Sequence, residues 1–234
     1  MNEFITSSED VLNMLDDLLR DPTEFWNEFY KDRTKEIPFF INAPDENLVS
    51  YFTKNIVQAG RVLELGCGAG RNAIYLAQQG CSVDAVDLSE TALFWARERA
   101  AEKKLNIQFI HGNLFNMDFP ENNYDFIYDS GCFHHIAPHR RLHYVEIVQR
   151  ALKPGGHFAL NCFAENGVYG GAALSDWDVY RNRSLQGGLG YTKEKLQSIF
   201  KDFQEIEIRE MQPIEKPNAL FELEGFIVSI FRKG

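Results

Sequence analysis

Arg61-Val62-Leu63-Glu64-Leu65-Gly66-Cys67-Gly68-Ala69-Gly70-Arg71-Asn72 is the stretch whose reading decides the fold of this chain. Val62 to Leu65 is an apolar run too short for a helix, so it reads as a buried strand. Glycines follow at three alternate positions, and Asn72-Ala73-Ile74-Tyr75-Leu76-Ala77 then opens a helix that stops at Gly80. Strand, glycine turn and helix is the layout of a nucleotide site. Glycines let the backbone turn tightly and approach a ligand, and a helix N-terminus offers unpaired N–H groups. One strand further on, Val83-Asp84-Ala85-Val86-Asp87 ends in an acid placed to accept hydrogen bonds from a ribose.

Composition narrows the class. The 234 residues, 44% of them hydrophobic, are ample for one core. A formal net charge of −10 argues against a polyanionic partner, because nucleic-acid binders usually carry a basic patch. The longest basic cluster, His139-Arg140-Arg141, reads as a solvated helix face. Four dispersed cysteines without a C-x-x-C pair suit a reducing cytoplasm and no structural zinc. The acidic N-terminus is not a signal peptide, and no apolar run approaches the ~18 residues of a membrane span.

Outward from the glycine stretch, strands and helices alternate. Ser7 to Asp10 caps a first helix, with Val11, Leu15 and Leu18 on one face. Asp21-Pro22-Thr23-Glu24 opens a second, with Glu24 placed to complete a capping box. Its Phe25, Trp26, Phe29 and Tyr30 form one broad aromatic face; Phe25 and Phe29 read as packing, and Trp26 and Tyr30 as ligand-lining candidates. Asp45 to Ala59 is expected to be a helix with Leu48, Phe52 and Ile56 inward. Further strands are expected at 107–110, 124–129 and 157–163. Helices should run from Ser89 to Lys104 and from Pro138 to Leu152, with Lys153-Pro154-Gly155-Gly156 as a turn. Residues 164–190 break the rhythm with Tyr169, Trp177 and Tyr180, and a stretch this long without periodicity is more often functional than idle. After a helix at 192–200, segments 204–211 and 226–232 are strands with no helix between them, so they pair as an antiparallel hairpin. The reading is α/β: one doubly wound, Rossmann-like sheet of seven strands with an antiparallel C-terminal hairpin. Residues 1–44 form a helical cover on a domain spanning 45–234, with 164–190 as an insertion.

Two cofactors fit the glycine spacing. Gly68, Gly70 and Ala73 match the dinucleotide pattern G-x-G-x-x-G/A, with Asp87 near the usual ~20 residues further on. Gly66, Gly68 and Gly70 equally match the G-x-G-x-G loop of class I methyltransferases that use S-adenosylmethionine. The closing strand pair, with Leu152-Lys153-Pro154-Gly155-Gly156 before strand five, resembles that class from about Val57 to the C-terminus. Within it, Leu63 to Asn72 and Tyr75-Leu76-Ala77 look most like the tellurite-resistance and thiopurine methyltransferase group. Phe25-Trp26 and Tyr30 ahead of Pro38-Phe39 are similar to the aromatic cover of that group, with Phe39 where a tryptophan would be expected.

The resemblance implies a site. Glu64, Leu65, Gly66, Cys67, Gly68, Gly70 and Asn72 would hold the methionine and ribose parts of S-adenosylmethionine. Asp87 would take the ribose hydroxyls, and Leu88 would pack on the adenine. Asn113-Leu114 stands where the class commonly has an acid reading the adenine amino group. Asp129 and Ser130 would lie under the sulfonium, the alternative for both Asp87 and Asp129 being a strand-end cap. Trp26, Tyr30, Tyr169, Trp177 and Tyr180 would close the pocket over a small-molecule acceptor such as a thiol, tellurite or an aromatic nucleophile. A hydroxyl or amine acceptor needs a base, for which His134 and His135 are the candidates, against packing or helix capping. His139 and His143 have metal-ligand spacing but lack the glutamate of H-E-x-x-H, so no metal is expected. An NAD-dependent oxidoreductase and a non-catalytic cofactor-binding protein remain as alternatives.

Overall fold

Strands β1 (Arg61–Leu65), β2 (Ser82–Asp87), β3 (Gln108–His111), β4 (Tyr124–Ser130), β5 (Leu152–Phe163), β6 (Gln204–Glu210) and β7 (Phe226–Arg232) form one sheet in the order β3-β2-β1-β4-β5-β7-β6. The structure is a computed structural model and describes residues 4–214 and 219–234. β1 to β5 pair in parallel; β7 runs antiparallel between β5 and β6. This is the expected α/β architecture with its antiparallel closing pair. β1 pairs with both β2 and β4, so the strand order reverses there. The crevice beyond the carboxyl ends of β1 and β4 is where such sheets bind ligands.

Alternation along the strands explains the two cores. Leu63 and Leu65, Ile127, and Phe158 and Leu160 face one side with Phe133, Tyr144 and Phe200. Val62, Phe126, Tyr128 and Ala159 face the other with Leu48, Ala73 and Leu76. Burial on both faces is what parallel strands require, and it accounts for the near-continuous apolar runs.

Helices α1 (Ser8–Asp16), α2 (Pro22–Phe29) and α3 (Glu46–Thr53) precede the sheet; α4 (Arg71–Gln78), α5 (Glu90–Glu102), α6 (Arg141–Ala151), α7 (Asp176–Asn182) and α8 (Lys193–Ile199) follow β1 onward. Ser7 and Asp10 form the capping box of α1. At α2 the box with Glu24 does not form, because the Asp21 carboxylate accepts from the nearer Thr23 N–H. α3 stops at Thr53 rather than Ala59, where the chain turns through Asn55 in a left-handed conformation (φ 55°). Pro138–Arg140 is a 3-10 turn, and the α-helix begins only at Arg141. Lys153–Gly156 belongs to β5 instead of preceding it. The β4–β5 register shifts between Tyr124 and Phe126, and the Lys153 ammonium meets Asp125 there at 2.6 Å. Residues 164–190 contain a helix, α7, capped by Ser175. Among the described residues, no helix is long and apolar enough to cross a membrane.

On the Val62 face a polar cluster replaces apolar packing. Asp45, fully buried, pairs with Arg71 and accepts from Tyr128 Oη (2.6 Å), Asn72 Nδ2 and Asn161 Nδ2 (3.0 Å each). Its own N–H donates to Asn72 Oδ1 (3.0 Å). Asn47 and Asn161 exchange amide hydrogen bonds beside it (2.8 and 3.0 Å). Segment 45–47 is thereby joined to the start of α4 and to β4 and β5. Removing one partner of a buried pair leaves the other charge uncompensated, so Asp45→Ala should lower stability by about 3–5 kcal/mol. Urea unfolding measures this; a loss below about 1 kcal/mol would mean the cluster is solvated.

Candidate functional site

The glycine stretch crosses the crevice between β1 and α4. A Cβ on Gly66 would lie 2.5 Å from Cys132 Cβ, and one on Gly68 would lie 2.6 Å from Tyr30 Oη; both glycines have positive φ (67° and 53°). Only glycine fits either position. Asp87, at the end of β2, accepts from the Gly68 N–H at 2.7 Å and from the Ser89 N–H at 2.8 Å, one bond on each oxygen. Each oxygen keeps a further lone pair for a ligand. Burial raises its pKa, opposed by these backbone bonds. Glu64 points to the polar-cluster face. Its Oε2 is buried without a protein partner, and burial pushes its carboxyl well above the usual range.

α2 lies across this crevice and touches it at three places. Tyr30, at its C-terminal end and only 7% exposed, stacks on Phe40 and sets its hydroxyl against Gly68. Asn27 Oδ1 accepts from Ser89 Oγ (3.0 Å) and from the Thr91 N–H (3.3 Å) at the start of α5. Trp26 meets the His135 ring edge-on at 4.9 Å. Phe29 stacks on Phe39, which is packing. Arg99 completes the cover by donating to the carbonyls of Ala69 and Phe40.

His134 and His135 form a 3-10 turn with Phe133 just past β4. Their Nε2 atoms are 3.0 Å apart, and His134 Nδ1 accepts from the Phe163 N–H at 3.3 Å. Burial, with His135 second, holds His134 well below the usual histidine range. Burial, with the Arg20 charge second, takes His135 down to about 4. Both rings are neutral at physiological pH, and their lone pairs are engaged with each other and with the backbone. The pair therefore lacks the free, basic nitrogen that a general base needs.

Several side chains have other work than the sequence suggested. Asn72 is consumed by Asp45, and Ser130 Oγ accepts from Arg71 (2.9 Å). Asp129 is fully buried and caps the strand end, accepting from the Cys132 and Phe133 N–H groups (2.8 and 3.2 Å) and from Tyr144 Oη (2.7 Å). Burial pushes its pKa up to about 6. Asn113 caps its own turn through Phe115 N and stays exposed; Leu114 is buried in the core, and Leu88 is half-buried beside Asp87. Leu65 is core, and Cys67 is buried at the loop. Tyr169 and Trp177 are 57% and 76% exposed and close nothing in this structure.

The His139-Arg140-Arg141 corner is no solvated face. Arg140 is buried and binds Asp16, Glu9 and Asn13 of α1. His139 joins Asp16 (2.8 Å) to Tyr180 Oη (2.7 Å), and Arg141 binds Asp176 (2.8 Å). Tyr180 is thus an anchor, and one corner holds both α1 and α7. Among the described residues no His, Cys, Asp or Glu cluster is arranged to hold a metal ion. Asn27, Arg71, Arg99 and Asp45 escaped the sequence reading. Arg71 alone had a local signal, as the residue after the last loop glycine.

Comparison with known proteins agrees with this geometry. Residues 62–156 match the family model of the methyltransferase domain. An uncharacterised methyltransferase of Synechocystis is 33% identical over 124 residues, 52% of each chain. A 2-heptyl-1-hydroxyquinolin-4(1H)-one methyltransferase of Mycobacteroides abscessus is 30% identical over 127 residues, 54% of this chain and 56% of that protein. The chain thus spans about half the length of these relatives. A structure solved for the conversion of a disulfide bond into a thioacetal group during echinomycin biosynthesis superposes with a TM-score of 0.70 at 23% identity, covering 91% of this chain and 92% of the other. The fold is the Rossmann-like methyltransferase fold.

The two neutral histidines, His134 buried and His135 half-buried, make stability pH-dependent. Their native pKa values lie below the unfolded value of 6.5, so their contribution is complete above pH 6.5. As pH falls the unfolded chain takes up protons that the native rings refuse, and stability drops by about 1.4 kcal/mol per pH unit for each ring. For His135 the loss continues down to about pH 4. His135→Phe should flatten the urea-derived stability profile by one proton over this interval; an unchanged slope would show the ring to be solvated.

Proposed function

We propose that the chain is an S-adenosylmethionine-dependent methyltransferase that acts on a small-molecule acceptor. The observation that carries this is α2, which touches the glycine loop, the start of α5 beside Asp87, and the histidine turn after β4. One element thus packs over the glycine loop, the start of α5 and the histidine turn together. The chain's groups fit the cofactor. Gly66 and Gly68 let Cys132 and Tyr30 pack directly on the loop, Asp87 has spare lone pairs for two ribose hydroxyls, and Glu64 Oε2 is a buried carboxyl oxygen without a partner. When bound, the cofactor supplies an electrophilic methyl carbon on a sulfonium. The protein's part is to orient the acceptor and exclude water, and Trp26 and Tyr30 are placed for both. An aromatic lining also suits a sulfonium, by about 0.5–2 kcal/mol.

We take the acceptor to be an acidic hydroxyl or thiol on an aromatic or otherwise apolar body. The hydroxyquinolone named for the Mycobacteroides relative is of this kind. The likeness to the tellurite-resistance and thiopurine group rests on the glycine loop and Phe25-Trp26, and it does not narrow the acceptor further. Four free cysteines suit a reducing cytoplasm as the place of action. The NAD reading is not favoured, since the antiparallel β7 and the methyltransferase-domain match both speak for the other cofactor.

Calorimetric titration tests the reading. S-adenosylhomocysteine should bind and NAD should not, and Asp87→Ala should weaken S-adenosylhomocysteine by about 1–3 kcal/mol, the cost of leaving buried partners unpaired. Micromolar NAD binding without S-adenosylhomocysteine binding would refute the assignment. Methyl release across thiols, thiopurines, tellurite and acidic phenols then identifies the acceptor.

A further inference from the structure

The histidine turn specifies how the acceptor is held. A backbone N–H can only donate, so the Phe163 N–H fixes His134 Nδ1 as an acceptor. The single proton of the neutral His134 ring is then on Nε2, which donates across 3.0 Å to His135 Nε2. His135 Nε2 is thereby an acceptor, and its own proton sits on Nδ1. That Nδ1 makes no hydrogen bond among the described residues, and His135 is half-buried. The wiring runs from the β5 backbone outward and ends in an N–H donor beneath Trp26, in a ring that also feels the Arg20 charge. Reversing it would set His134 Nδ1–H against the Phe163 N–H, two donors face to face.

We propose that His135 is a specificity residue whose Nδ1–H binds the acceptor as its anion, restricting the enzyme to acceptors that ionise by themselves. This rests on the methyl-transfer reading and deepens it. An anionic oxygen or sulfur supplies the electron pair for its new bond to the methyl carbon. The pair of the broken carbon–sulfur bond stays on the cofactor sulfur, and no proton passes to the protein. Other carboxylates near the crevice do not replace the missing base: Asp129 is sealed under three donors, Asp87 holds Gly68 and Ser89, and Glu64 is buried in β1 away from the histidine turn. A protonated amine has no lone pair to accept from this donor, and a neutral alcohol that accepts from it keeps a proton that no base is placed to take.

Nitrogen-15 NMR of the histidine rings in the S-adenosylhomocysteine complex reads the wiring directly. Expected are an Nε2–H tautomer for His134 and an Nδ1–H tautomer for His135; a bare Nδ1 on His135 overturns the proposal. The second arm is calorimetric binding of 4-nitrophenol, ionised near neutral pH, and of phenol, which is not, to the same complex. His135→Asn keeps an amide donor near the Nδ1 position, whereas His135→Gln keeps only the Nε2 position. The Gln variant should lose 4-nitrophenolate affinity by about ten- to a hundredfold, the scale of one charge-assisted hydrogen bond, and the Asn variant should stay near wild type. Equal affinity for phenol, no 4-nitrophenolate binding, or equal loss in both variants overturns the proposal. Failure of S-adenosylhomocysteine to bind wild type would instead refute the methyl-transfer reading itself.

Discussion

The buried Asp45–Arg71 pair is the constraint on which the rest of the site depends. Neither charge is stable in a dry core alone, and together they require further hydrogen bonds. Tyr128, Asn72 and Asn161 supply those to the carboxylate; Ser130 and the Ala43 carbonyl accept two further guanidinium donors. The Phe221 ring covers the guanidinium, 4.0 Å from its carbon. Because these partners come from four separate elements, the network aligns the loop after Gly70 with the ends of β4 and β5. It also explains why a polar cluster is kept where apolar packing would serve stability as well: position, rather than strength, is what it provides.

From that anchored loop the crevice is completed from above. α2 is tied down through Asn27 and Tyr30, and Arg99 fastens the Phe40 turn to Ala69. α1 and α7 are held further out by the His139–Arg141 corner, through ion pairs in which Arg140 is buried, Arg141 half-buried and the carboxylates face solvent. Such half-exposed pairs contribute less than the buried network and respond to salt. The cover is therefore held more weakly than the floor.

Much of the fold was legible in the sequence because the signals were local. The alternating strands, the glycine turn, the Ser7, Ser89 and Thr192 caps and the closing strand pair each follow from residues a few positions apart. Helix ends were less legible. Asn55 stops α3 by a backbone conformation that no hydrophobic pattern announces, and the β4–β5 register shift hid the start of β5. In the site, the backbone positions and Asp87 could be read from spacing. Asp45 and Asn161 could not, being 116 residues apart, nor could the joining of Arg140 to Asp16 across 124. Basic residues in a row look solvated until the acids that bury them are placed. Tyr169 and Trp177 show the reverse case, since aromatic composition carries no information on burial.

On the proposed function, one ligand crevice runs from the glycine loop under α2 to the histidine turn. Hydrogen exchange measured with and without S-adenosylhomocysteine tests it most directly. The account requires added protection at residues 66–70 together with residues 22–30 and 131–136. Protection confined to the glycine loop, with α2 and the histidine turn unchanged, would contradict it.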